Sequence, residues 1–426
     1  MNKYLPSDVT GVSPASLQVR FDALRDTPEL IESLSVRLPT LRHILANMRA
    51  GVVPLMPSSH PGSFGNFVRL PNHYRSVCFK LPGTASEPGV DGVVVLKGTE
   101  PLLPDFPQYL DWMLRAPFRG SYLSLGLYFP LEMKLPPGAM WIEECVLEQK
   151  ISSQVQQRYL AQYGYLARLP VPLFVFELTA EQVESYREVV RARLSADAFS
   201  RIDAKVRGGL GVEVYYYPSL PIRVADLPEL DVKAFSAVSS AETLKATFDA
   251  WIQLMAELLG LGYMPSAPWN RGMGGYVDPG NACIDGGFND LVTIVPFDSI
   301  PSEYLFWRSL RQSIQMLAHS VAAMCVAVTE TRAPLPSEPP AAAVEYVTEE
   351  LRHRIRSEQQ NTQDLDPRLT RFFEVPSVTD LLRHLRDIQR PGRAAQYRPP
   401  ASSISPPSNS KVGAAAPSET HETIGA

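Results

Sequence analysis

Val93, Val94, Val95 and Leu96 run without interruption into Lys97 and Gly98. An apolar run this rich in valine reads as a strand that belongs in a core. A lysine at the end of such a strand is costly to desolvate unless an anion offsets it. The chain therefore needs either solvent at that strand end or a site that holds negative charge there. Phosphate is the natural occupant of the second arrangement, with a helix glutamate steadying the ammonium.

Two other segments bear on that choice. Upstream, His60-Pro61-Gly62-Ser63-Phe64-Gly65-Asn66-Phe67-Val68 is a glycine-bearing turn leading into a strand. Glycines let backbone N–H groups approach phosphate oxygens closely, and the same composition also serves an ordinary β-turn. Downstream, Asp278, Asn281, Asp285 and Asp290 cluster in a stretch of low helix propensity. Turn chemistry alone accounts for Asp278-Pro279-Gly280-Asn281. It accounts less well for Ile284 and Phe288 alternating among the acids, a pattern of a short hairpin tucked against a core. An amide and a carboxylate brought together by that hairpin suit Mg²⁺, which takes one or two protein oxygens plus phosphate and water.

Composition excludes several other classes. The chain has 426 residues, 45% of them hydrophobic, with a net charge of −5. That is enough apolar material for one large core or two lobes, and the charge balance calls for neither nucleic acid nor an anionic membrane. Cys78, Cys145, Cys283 and Cys325 stand singly, which argues against a structural zinc site or disulfide framework and for a reducing, cytoplasmic setting. The seven histidines show no metal-pair spacing and no GxSxG elbow is present. No Sec-type leader is expected at the start. The most apolar stretch, residues 313–328, is interrupted by Gln315, His319 and Ser320 and reads as a core helix rather than a membrane span.

Along the chain, helical periodicity is expected over residues 30–50, then strands near 67–70, 76–81 and 92–96. A helix over 143–163 precedes a strand at 171–177, a helix at 180–194 and a β-rich run at 212–217. Helices at 241–259 and 302–328 flank the Gly/Pro/Asn-rich segment 260–290. Residues 333–340 read as a proline connector. The whole is an α+β arrangement in two lobes, β-rich in front and helical behind. The expected division is an N-terminal helical extension (1–54), an N-lobe-like nucleotide-binding region (55–230), a helical C-lobe (231–390) and a disordered tail (391–426).

Taken together, these segments resemble the selenoprotein O family, a branch of the protein-kinase-like fold. The resemblance rests on Gly62-Ser63-Phe64-Gly65-Asn66-Phe67-Val68, Leu96-Lys97-Gly98-Thr99-Glu100-Pro101 and Ile222-Arg223-Val224. It rests also on Asn281 followed nine positions later by Asp290, with Ile284 and Gly286 between. It covers about residues 55–300. It implies an ATP-binding cleft in which the nucleotide lies reversed relative to ordinary kinases, and transfer of AMP to protein hydroxyls. Lys97 would then hold phosphate, Phe64 and Gly65 would cover the nucleotide, Arg223 would meet a phosphate, and Asn281 and Asp290 would ligate Mg²⁺. The family has Asp directly before the metal Asn, where this chain has Gly280, and Asp-Tyr-Gly where this chain has Asp290-Leu291-Val292. The base-like role accordingly shifts to Asp278. The glutamate partner of Lys97 is assigned to Glu148, with Glu144 second, because both lie on the helix entering at Ile142. Asp285 is expected at the turn, making local backbone bonds and pointing to water.

The leading expectation is thus an ATP- and Mg²⁺-dependent adenylyltransferase acting on a hydroxyl acceptor. A phosphotransferase acting on a small molecule or protein and a catalytically inactive interaction scaffold are the alternatives. Neither nucleic acid nor membrane is an expected partner. Residues 391–426 offer too little apolar area to offset ordering entropy. Truncation after Arg390 is therefore expected to leave the melting temperature unchanged, and a large drop would refute this.

Overall fold

The computed structural model describes residues 22–26, 58–71, 75–82, 90–115, 136–230, 240–266, 277–291, 294–329, 335–361 and 366–374, apart from residues 72 and 74 and with a few single positions such as Met48 and His73. The front half is built on one antiparallel sheet. Its strands are β1 (Asp22–Asp26), β2 (Gly62–Phe64), β3 (Phe67–Arg69), β4 (Ser76–Pro82), β5 (Val90–Lys97), β6 (Met140–Trp141), β7 (Val171–Glu177) and β8 (Leu210–Tyr217). Seven of them run in the order β1-β7-β8-β5-β4-β3-β2, and β6 pairs with β8 beside that path. The strand ending in Lys97 is therefore central, between β4 and β8, as its apolar run requires.

Among the described residues, four helices accompany the sheet: α1 (Phe106–Arg115), α2 (Ile142–Tyr163), α3 (Ala180–Arg191) and α4 (Ala196–Arg207). Local chemistry sets their limits. Thr179 and Gln182 form a reciprocal capping box at the start of α3, and Ser195 caps α4. Gly164 ends α2 in the left-handed conformation at φ 77°.

Alternation along the strands sorts the sheet into two faces. Val94, Leu96, Val212, Val214 and Phe176 pack in one core with Phe106, Leu110, Tyr186, Ile202 and Val206 from α1, α3 and α4. Val93, Val95, Tyr215 and Tyr217 pack in another, with Val155 and Tyr159 of α2 and with Trp251, Ile284, Phe288 and Trp307 behind. Lys97, two residues beyond Val95, follows the parity of this second face, as does Glu213, two residues before Tyr215.

The rear half is helical: α5 (Ala241–Gly260), α6 (Glu303–Thr329), α7 (Ala341–Asn361) and α8 (Pro367–Phe372), with a small ribbon of β9 (Tyr263–Met264) and β10 (Val295–Pro296). By length and composition α6 is apolar enough to cross a membrane, but 56% of its most apolar window is buried within the protein. Trp307, Leu310, Leu317 and Met324 lie on its buried side, so it acts as a core helix.

The α+β order read from the sequence holds, with a sheet in front and helices behind. The helix expected over 180–194 stops at Arg191, and Ser195 caps a further helix, α4, that was not expected from the sequence. The expected helix over 30–50 lies outside the described residues except at Met48, and the tail from 391 lies wholly outside them.

Gly98 turns the chain out of β5 at φ 96°, and a Cβ there would lie 2.6 Å from the Gly211 carbonyl oxygen. Gly98→Ala combines left-handed strain with that clash. It should lower stability by about 2 kcal/mol, read as a shift of the urea midpoint; an unchanged midpoint would contradict this geometry.

Candidate functional site

Lys97 is 5% exposed, and its Nζ donates to both carboxylate oxygens of Glu148 at 2.8 Å. Glu148 lies one and a half turns into α2, on the side that meets β7 and β8. Of the two candidates on this helix, the structure selects Glu148. A second carboxyl was not anticipated. Glu213 is the cross-strand neighbour of Lys97 on β8, with Oε2 3.9 Å from Nζ and no exposure. The signal available was Glu213 sitting alone between Val212 and Val214 in a β-rich run. Burial opposes the Lys97 ammonium, but Asp290, then Glu148 and Glu213, hold it well above the usual lysine value. Asp290 thus acts on Lys97 together with Glu148, although Asp290 and Lys97 are far apart in sequence.

The hairpin over residues 281–290 carries Asn281 and Asp290. Ala282 bridges Phe288, the Cys283 N–H donates to Gly287 O at 2.9 Å, and the Asn289 N–H donates to Asn281 O at 3.0 Å. Asn281 and Asp290 therefore flank the open end of one hairpin, as their nine-residue spacing implied. The turn itself closes at Cys283–Gly286, slightly before Gly286-Gly287, with a 3.0 Å bond from Gly286 N–H to Cys283 O. Gly286 adopts φ 90°, and a Cβ there would meet the Ala250 methyl at 2.5 Å, so the turn can press directly on α5.

Three elements fix this hairpin in place. From α5, Trp251 Nε1 donates to Cys283 O at 2.9 Å and Thr247 Oγ1 to Ile284 O at 3.1 Å. From the segment after β8, Ile222 O accepts from Ile284 N–H at 2.9 Å, and Val224 N–H donates to Ala282 O at 3.0 Å. From the end of β8, Tyr217 Oη donates to Asp285 at 3.2 Å, and Ser219 Oγ, two residues after the strand, donates to the other oxygen at 2.7 Å. Asp285 makes the expected local bond, from Gly287 N–H at 3.0 Å. Its expected orientation toward water is corrected: the carboxylate faces inward, because two hydroxyls of the sheet side converge on it.

Arg223 bridges Cys283 and is 8% exposed. With the Asn289 amide oriented to satisfy both neighbours, its oxygen accepts from Arg223 Nε at 3.1 Å and Nη2 at 2.9 Å, while its nitrogen donates to Tyr215 Oη at 2.8 Å. Arg223 N–H donates to Asp226, which also meets His73 Nε2 at 3.1 Å. Burial, helped by Arg223, lowers His73 to about 4, so the imidazole is neutral beside an ionised Asp226. Arg223 is thus braced against the residue preceding Asp290.

Asp278 is half-buried and accepts from Gly280 N–H at 2.9 Å. Burial raises it from 3.8 to about 7, with Asp290 adding to the rise and Arg223 opposing it. The turn residues sit differently from the rest. Gly65 takes φ 58° in the β2–β3 turn, and Phe64 packs beside Phe67 in the core shared with α1 and α3. The Phe64 ring therefore belongs to the face opposite the one that Lys97 follows.

The structure thus brings Lys97, Glu148 and Asp290 into one electrostatic group, places Asn281 beside Asp290, and sets Arg223 and Asp278 next to that hairpin. Among the described residues, no three His, Cys, Asp or Glu side chains form a group able to hold a metal by themselves. The donor set of one amide and one carboxylate at the hairpin end suits a hard cation that arrives with phosphate. The chain matches no protein-family model and is not significantly similar to any curated protein.

Two outcomes follow. Asp285→Ala leaves the Tyr217 and Ser219 hydroxyls without their acceptor and should cost about 2 kcal/mol of stability, so a neutral result in urea titration would contradict the inward carboxylate. Because Asp278 binds its proton more tightly folded than unfolded, its contribution to stability is full below pH 4 and is lost as pH rises toward 7. Asp278→Asn should flatten that decline in melting temperature; an unaltered pH profile would contradict the assignment.

Proposed function

We propose that the protein is an ATP- and Mg²⁺-dependent transferase of the selenoprotein O type, with a two-lobed kinase-like fold, moving AMP from ATP to a hydroxyl acceptor. The observation that carries this reading is the buried Lys97–Glu148 pair, with Asp290 also holding the lysine in its charged form. A strand lysine, a helix glutamate and a hairpin carboxylate are the three charges a kinase-type nucleotide site requires. The sheet order, with the lysine strand central and the glutamate helix packed on it, supports the same reading.

In this reading Lys97 and Arg223 neutralise charge on the phosphates, and Glu148 keeps the ammonium on the site side of the sheet. Asn281 and Asp290 would hold Mg²⁺ together with the nucleotide, and the ion would supply Lewis acidity for phosphoryl transfer. Asp278, held at about 7, suits a group that accepts a proton from a hydroxyl at neutral pH. The turn at Gly65 offers backbone N–H groups rather than the Phe64 ring as cover.

A nucleotide-binding scaffold without turnover draws on one specific feature: Lys97 faces two carboxyl groups rather than one. Incubation with ATP labelled at the α or γ phosphate separates the readings. Stable transfer of α label supports adenylylation, transfer of γ label alone supports phosphorylation, and binding without transfer supports the scaffold. Asp290→Ala is expected to weaken Mg²⁺-dependent ATP binding by about 100-fold or more while leaving the fold intact. Unchanged binding in that variant would exclude the proposed register.

A further inference from the structure

The proposed site uses Lys97 and Glu148 and leaves Glu213 unexplained. Glu213 lies directly across the β5–β8 ladder from Lys97, and neither of its oxygens has a hydrogen-bond donor in range. Glu148, on α2, takes the same ammonium with both oxygens at 2.8 Å. One cation therefore stands between two carboxyl groups that are 2% exposed or less. Two bare carboxylates there would leave an uncompensated buried charge, which is strongly unfavourable.

The neighbours relieve Glu148 more than Glu213. Asp290 adds negative charge against both glutamates. Burial pushes Cys145 of α2 and Tyr215 of β8 well up, so both are neutral. Arg75 favours the charged form of Glu148 while donating to the Ala139 carbonyl at 3.3 Å, but Asp290 offsets that second cation; Arg223 is engaged by Asn289, and Asp278 and Glu144 are further acids. A proton is what remains to balance the group, and two carboxyls that share a space resolve their repulsion in this way.

We propose that Glu213 is a positioning residue that carries a proton shared with Glu148, so that Lys97 is held by one carboxylate and one carboxylic acid. Its functional consequence rests on the nucleotide reading above. When Nζ turns toward a phosphate, the pair left behind keeps a single negative charge, with the proton lying between the two carboxyls. An ionised Glu213 would instead hold the ammonium back.

Infrared spectroscopy of the full chain at pH 7, without nucleotide, tests this. The expected result is a protonated-carboxyl C=O band that shifts in D₂O and loses the intensity of one group in Glu213→Gln. The same loss is expected in Glu148→Gln, where Glu213 must ionise to pair with Lys97, whereas Asp278→Asn must leave this component in place. Absence of the component, or its persistence in both glutamine variants, overturns the proposal. Glutamine closely matches a neutral glutamic acid in shape, so failure of Glu213→Gln to fold also counts against it. Because the measurement contains no nucleotide, failure of ATP binding would contradict the proposed function and leave this inference standing.

Discussion

The ion pair between Lys97 and Glu148 is the interaction on which the arrangement of the sheet, α2 and the candidate site depends. Both partners are nearly sealed from water. Removing Lys97 would leave buried negative charge without its cation, a loss of about 3–5 kcal/mol, and removing Glu148 would leave the ammonium to Glu213 alone, so neither residue is decorative. Such a pair is weak evidence of stability for its own sake, since apolar residues of similar volume commonly serve as well. Its retention at the end of a central strand is better explained by a charge that must be present for use. The pair also fixes the pose of α2, whose far half is bolted elsewhere through Tyr159 to Glu257 and through Tyr163 to Glu358.

The hairpin over 281–290 answers that pair from the helical side. It is clamped by α5 beneath, by the segment 222–225 beside it and by hydroxyls reaching over from β8 and the residues after it. Rigid support on three sides is what a site needs if its oxygens are to stay in register. The polar chain from His73 through Asp226, Arg223 and Asn289 ends next to Asp290, so the loop between β3 and β4 is joined to the hairpin by buried hydrogen bonds. In the proposed nucleotide site, this chain would keep Arg223 and Asp290 in fixed relation while phosphate comes and goes.

Much of this was legible in the sequence, for reasons that differ by residue. Lys97 announced itself because an unbroken apolar run made its burial expensive. Glu148 was one of two candidates, ahead of Glu144, on the helix entering at Ile142, for a partner that the family resemblance calls for. Asn281 and Asp290 were picked out by the resemblance, and their nine-residue spacing fits a short hairpin that returns its ends to one place. Glu213 was not legible: a lone glutamate in a β-rich run looks the same whether it faces solvent or a lysine, and only the strand register decides. Asp285 was misjudged for a related reason, because its partners Tyr217 and Ser219 come from a distant strand end. Phe64 could be located on a hairpin, but which face its ring would join depends on the whole sheet. The helix α4 was missed altogether, although Ser195 marked its cap four residues after α3 ends.

The central claim is that Lys97 meets the phosphates of a bound nucleotide. An acyl-phosphate derivative of ATP delivers its acyl group to a lysine lying against those phosphates, and mass spectrometry reads which lysine is modified. The account predicts modification at Lys97, suppressed by excess Mg²⁺-ATP and lost in Asp290→Ala. Modification confined to other lysines, with Lys97 untouched and no protection by ATP, would contradict it.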